Sequence, residues 1–158
     1  MPEDRIEGRV GYQMKRAQHA LRTEMDRVLR EIGMTTAQYA ALSALEGASG
    51  LSGAELARRG FVTPQTMNAI LMNLEAAGLV VRWPHPEHGR VLQTYLTKEG
   101  EESASKAHRI IKAIERRMLK GLSREDQHRL LEALRSCADT LETGVGAAAS
   151  RVSGRNPK

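Results

Sequence analysis

A mainly α-helical fold with one small β-hairpin is predicted by three features: two capped helix starts in tandem at Ser52 and Thr63, two β-prone runs after them, and long apolar stripes at helical spacing on either side. At the first start the Ser52 hydroxyl can accept the Glu55 amide while the Glu55 carboxylate reaches back to the Ser52 amide, and Leu51 and Leu56 occupy the two positions of a hydrophobic staple. That short helix ends at Arg58 and Arg59, and Gly60, Phe61 and Val62 form a tight turn containing glycine. Thr63 caps the second helix, Pro64 takes its first position, where a missing N–H costs nothing, and Val62 can staple to Met67. Met67, Ile70, Leu71 and Leu74 then recur at helical spacing, which turns Gln65, Thr66, Asn68, Ala69, Met72 and Asn73 outward, and Gly78 supplies the stop. Residues 79–83 and 91–96 are β-prone and the segment between them is rich in turn formers, so a hairpin with a mobile tip follows. Two short helices joined by a tight turn and followed by a hairpin make a winged helix-turn-helix, and double-stranded DNA is the first partner to consider.

The flanking segments extend this module. Ile6, Val10, Met14, Ala17, Leu21, Met25, Val28 and Ile32 fall at steps of three and four, a stripe of roughly seven turns, too long for a small winged domain to cover. Thr35 and Gln38 form a capping box that opens a shorter helix, whose Tyr39, Leu42 and Leu45 belong to the core of the winged module. Beyond the hairpin, Thr97 can cap a long helix with a stripe of Ala104, Ala107, Ile111, Ile114 and Met118, broken at Gly121. Ser123 to Asp126 marks another start, and Leu130, Leu131, Leu134, Ala138 and Leu141 continue at bundle spacing. These terminal helices need a partner surface, and a second copy in a two-fold homodimer is the economical one. The organisation expected is thus an N-terminal dimerisation helix (1–34), a winged helix-turn-helix (35–96), C-terminal dimerisation helices (97–143) and a disordered basic tail (144–158). The tail holds Arg151, Arg155 and Lys158 and no acid, which suits either a solvated tail or contact with phosphates.

Composition bounds the function. The chain's 158 residues are enough for one domain with its own core, and with only 3% aromatic residues that core must be aliphatic and methionine-filled. No run approaches the ~20 apolar residues that span a bilayer and nothing resembles a signal peptide, so a soluble cytoplasmic protein with no membrane partner is expected. Nucleophile elbow, phosphate loop, dinucleotide fingerprint and paired-carboxylate motif are all missing, and no cofactor is implied; an enzyme is not expected. The lone Cys137 excludes an intrachain disulfide and, at helical spacing with Leu130, Leu134 and Leu141, reads as a small apolar residue on a packed face rather than a redox switch. Net charge is +5, but residues 35–96 hold 4 basic and 4 acidic side chains. A basic-patch argument therefore fails, and the case for DNA rests on particular residues.

Those residues carry a resemblance. The runs from Val62 to Thr66 and from Leu74 to Val80, then Arg82 to Pro86 with Arg90, then Leu96 to Gly100, resemble the MarR (multiple antibiotic resistance regulator) family, and the helix pattern extends the likeness to roughly residues 6–143. The resemblance implies a homodimeric bacterial transcription factor, usually a repressor, often released from its operator by a small aromatic or phenolic ligand. On a two-fold dimer the recognition helices enter successive major grooves, so a pseudo-palindromic operator is expected. Thr63, Gln65, Thr66, Asn68, Ala69 and Asn73 would face DNA; Gln and Asn pair best with adenine and the Thr66 or Ala69 methyl can meet thymine, which predicts A·T-leaning half-sites. Where the family often carries basic residues this chain has Ala69 and Asn73, so phosphate and minor-groove contacts fall to Arg58, Arg59, Arg82 and Arg90. Arg90 matches the family's wing-tip arginine, and His85 and His88 stand where the family's wing acids usually stand.

Two further groupings are legible. His85 and His88 flank Glu87, which opens a metal-responsive alternative, although two histidines in a proline-bearing loop define no first shell and no metal residue is assigned. Tyr12, Arg16 and His19 share a face opposite the first stripe. The resemblance places the effector pocket where dimer helices meet the winged module, so Arg16 or His19 is a candidate to hold a carboxylate or phenolate and Tyr39 to supply a wall. A winged-helix module that binds only protein is the remaining alternative, kept open by the neutral charge of residues 35–96. The family's peroxide sensors keep their reactive cysteine near the N-terminus, where this sequence has none.

Overall fold

A computed structural model describes residues 5–152, with side chains described through Thr143. The chain falls into two compact units, Met1–Glu115 and Arg116–Lys158.

In the first unit a short 3-10 turn, Ile6–Gly8, leads into α1 (Val10–Arg30). The expected stripe of roughly seven turns is therefore broken by extended backbone at Arg9 before the α-helix begins. Only the second half of α1 packs: Leu29 is buried and Leu21, Met25 and Val28 lie against the core, while Val10 and Met14 are exposed. Next, α2 (Thr36–Gly47) opens on the Thr35–Gln38 capping box. Its first residue, Thr36, donates to Asp26 of α1, and this bond is the main reason the Asp26 carboxyl sits below its ordinary range, with Arg22 adding in the same direction.

The helix-turn-helix follows the capping argument closely. A two-residue strand β1 (Leu51–Ser52) runs into α3 (Gly53–Arg59), and α4 (Pro64–Ala76) starts after Thr63, whose hydroxyl accepts the Thr66 amide at 3.1 Å. At the start of α3 the Glu55 carboxylate accepts from both the amide and the hydroxyl of Ser52 at 2.8 Å, which holds its pKa below the ordinary carboxylate value. Between the two helices Phe61 adopts φ 53°, a left-handed conformation that costs a non-glycine residue roughly 1 kcal/mol. Its ring is 92% exposed, so burial returns nothing within the chain.

Two further strands, β2 (Val80–Pro84) and β3 (Leu92–Leu96), form the wing. The sheet has three strands in the order β1-β3-β2, all antiparallel, so the expected hairpin gains β1 at the outer edge of β3 through Leu51 opposite Thr94. Leu56, Met67, Leu71, Leu74 and Val80 are buried between sheet and helices, together with Leu42 and Leu45 of α2. The first turn of α5 (Lys98–Met118) closes this core: Gly100 is buried so tightly that a Cβ placed there would lie 1.9 Å from the Leu79 carbonyl oxygen. The adjacent Thr97 hydroxyl donates to the Gly78 carbonyl at 2.7 Å and accepts the Gly100 amide at 3.0 Å. Ala104, Ala107, Ile111 and Ile114 continue the buried face of α5.

In the second unit α6 (Arg124–Val152) starts on Ser123, whose hydroxyl accepts the Asp126 amide at 3.1 Å. Its backbone stays helical nine residues past the expected boundary at 143, because nothing before Val152 supplies a stop stronger than isolated glycines. The side chain of Arg151, and Arg155 and Lys158 altogether, lie outside the described residues. Leu130, Leu131 and Leu134 are exposed, and so is Cys137. The packed face expected around Cys137 is therefore not formed within one chain: spacing identifies an apolar stripe but not what covers it.

Two outcomes test these contacts. Gly100→Ala forces backbone apart at the α5 start and should lower the unfolding free energy by on the order of 3 kcal/mol in chemical denaturation. Glu55, with its folded pKa depressed, adds stability that is present above its unfolded value of about 4.3 and is lost as pH falls through the folded pKa. Glu55→Gln should thus be less stable than the parent at pH 7, with the gap in thermal midpoint closing as the pH is lowered below about 4.

Candidate nucleic-acid interface and effector groove

The exposed face of α4 is built by its own cap and its own stripe. Thr63 and Pro64 fix where the helix begins, and Met67, Leu71 and Leu74 anchor it to the core. Gln65, Thr66, Asn68, Ala69 and Asn73 are consequently all exposed along one side, as the spacing predicts. The Thr66 hydroxyl accepts from the Thr63 hydroxyl at 2.9 Å. Arg58 and Arg59 are exposed at the end of α3, just before the turn, and Arg90 is exposed at the wing tip.

Arg82 is less exposed than the other three arginines. It is half-buried in β2, and its Nη2 donates to the Asn68 carboxamide oxygen at 3.3 Å. Its Nε is buried without a partner, and so is the hydroxyl of Thr94, its cross-strand neighbour. This bond ties the arginine to the recognition helix. No sequence pattern announces the contact, since the two residues belong to different elements.

At the wing tip, His85 Nδ1 accepts the amides of Glu87 at 3.1 Å and His88 at 3.2 Å, and the two imidazole centroids lie 5.1 Å apart. These bonds tie the His85 ring to the turn. The metal-responsive alternative is left with two imidazoles and, among the described residues, no group of three or more histidine, cysteine or acidic side chains able to hold an ion.

A second site lies on the N-terminal part of the chain. Tyr12, Arg16 and His19 line one open groove, about 710 Å³ in volume, together with Ile6, Arg9, Gly11 and Lys15. Three cations and no carboxylate line it, and the Arg16 guanidinium donates to the neutral Gln13 side chain at 3.4 Å. Sequence reasoning missed Lys15, which follows Tyr12 by three residues on the same side of the helix, and Arg9, which precedes the helix on extended backbone that no helical spacing predicts. Tyr39 is not brought to this groove. It is buried on α2 with its hydroxyl 3.2 Å from His108 Nδ1 on α5, and burial is the main cause that raises its pKa, with Glu115 and Glu46 adding and a bond to Ser43 opposing.

Known proteins share this arrangement. The MarR family profile matches residues 32–91. The HTH-type transcriptional repressor Rv2887 of Mycobacterium tuberculosis is 38% identical over 130 residues, spanning 80% of this chain and 94% of that protein. The crystal structure of Rv2887 in complex with salicylic acid superposes with a TM-score of 0.69 at 34% identity, covering 87% of this chain and 99% of the other. The transcriptional repressor CouR, bound to a 23-mer DNA duplex, gives a TM-score of 0.78 at 26% identity over 86% and 96% of the two chains. No helix among the described residues is long and apolar enough to cross a membrane. From the capped reading helices, through the wing, to 38% identity over 80% of the chain with an HTH-type transcriptional repressor, the observations agree: this chain is a DNA-binding transcriptional regulator, not an enzyme, and belongs to the MarR family.

Proposed function

We propose that the chain is a homodimeric cytoplasmic repressor that reads a pseudo-palindromic operator with α4 and the wing, and that an aromatic carboxylate bound along α1 releases it. The observation that carries the DNA half is the uncharged, exposed row Gln65, Thr66, Asn68, Ala69 and Asn73, with Arg58, Arg59 and Arg90 also exposed. Base edges are met by amides and methyls, and phosphates and the minor groove by the few arginines at its margins. Gln65, Thr66 and Ala69 favour A·T-leaning half-sites.

Dimerisation is supported by apolar surface with no cover in one chain. Val10 is 70% exposed and Leu141 73%, and each lies on a stripe of several apolar residues. The effector half rests on the groove: Arg9, Lys15 and Arg16 attract an anion, while the Tyr12 ring and Ile6 accept an aromatic body. Salicylic acid, the ligand of the Rv2887 complex, has this chemistry.

Fluorescence anisotropy with the DNA flanking the chain's own coding region tests the first half. Saturable, sequence-dependent binding of two chains per site is expected; no binding even at low salt would instead favour the protein-interaction module. Arg90→Ala should weaken binding about equally across sequences and reduce the slope of log affinity against log salt by about 1. Salicylate should release the DNA, and Arg16→Ala should raise the concentration needed by about tenfold while leaving affinity without salicylate unchanged.

A further inference from the structure

We infer that Arg82 is a specificity-determining residue that never needs to touch DNA: by occupying the Asn68 carboxamide oxygen it makes Asn68 a hydrogen-bond donor in the major groove and selects guanine over adenine at the base it faces. The inference rests on the reading of α4 as the base-contacting helix and deepens it at one position.

The chemistry fixes which way the Asn68 amide points. A guanidinium has five donors and no acceptor, so the atom that meets Arg82 Nη2 at 3.3 Å is the carboxamide oxygen. The amide nitrogen is then directed away, where its neighbour is the Met72 sulfur at 3.7 Å. A thioether is a weak acceptor, easily exchanged for a base edge. Asn68 is exposed, so that edge can be reached.

Asparagine recognises adenine through both ends of its amide, the oxygen accepting from N6 and the nitrogen donating to N7. Here the oxygen is already bonded to a cation, and an approaching adenine amino group would meet the guanidinium as one donor meeting another. Guanine presents two acceptors, O6 and N7, and no donor on its major-groove edge. It complements the donor that the Asn68 amide nitrogen presents, and it brings no amino group toward the neighbouring guanidinium. The arginine is half-buried in β2 opposite Thr94, so packing restricts the room its side chain has to swing aside. The wing strand thereby sets the polarity of a side chain on the recognition helix, and the A·T lean expected from Asn68 by residue type alone is reversed.

Selection from a randomised double-stranded DNA library, run with the full-length protein and with Arg82→Met, Asn68→Ala and the double variant, tests this. Circular dichroism and dimer mass on each variant establish that it is folded. The parent is expected to enrich guanine at one position of each half-site. Arg82→Met should shift that position, and no other, toward adenine by about tenfold in relative enrichment, one bidentate pair's discrimination. Asn68→Ala should erase the preference there, and adding Arg82→Met to it should change nothing further. If Arg82→Met weakens binding uniformly with base preferences intact, Arg82 is a phosphate contact and the inference fails while the reading of α4 stands. If Asn68→Ala leaves every preference unchanged, both fail. Adenine enriched by the parent at the Asn68-dependent position overturns the inference alone.

Discussion

The contact between Gly100 and the Leu79 carbonyl is the constraint on which the rest of the winged unit depends. It sits where three elements converge: the end of α4 at Gly78, the start of β2, and the first turn of α5. Leu79 receives the Thr97 amide at 3.1 Å and Gly78 the Thr97 hydroxyl, so the loop that ends the recognition helix and the loop that ends the wing are tied to each other. Any side chain at position 100 would push α5 off that junction. Since α5 contributes Ala104, Ala107, Ile111 and Ile114 to the same core as Leu71 and Leu74 of α4, the small residue at its start determines whether the stripe behind it can engage.

Local chemistry was legible and distant pairing was not. The caps at Thr35, Ser52, Thr63 and Ser123 depend on residues three positions apart, and each forms as the sequence implies. The exposed row on α4 follows from a period that needs no knowledge of the neighbours. In contrast, β1 is two residues long and exists only because β3 pairs with it, which no window of sequence contains. The left-handed Phe61 broke a residue-type rule, since glycine stands next to it at position 60 and was the natural choice for that conformation. Tyr39 and Arg82 bond to His108 and Asn68, which lie on other elements, and no local pattern of sequence announces either bond.

Charge is distributed by task. The winged module is neutral, so on the proposed reading attraction to DNA would come from a few arginines at its margins rather than from a broad positive field, and discrimination among sequences would keep a larger share of the binding free energy. The groove along α1 is the reverse case. Three cations gather there beside one aromatic ring, and a small anion that reaches it meets charge with no carboxylate to compete.

Trp83 has a consequence of a different kind. It is the chain's single tryptophan, it lies in β2 beside Arg82, and it is 61% exposed. All indole emission from this protein therefore originates in the wing. Its wavelength and its quenching by solutes follow the solvent around that one strand, so the position of the wing on and off an operator can be followed in real time without attaching a dye.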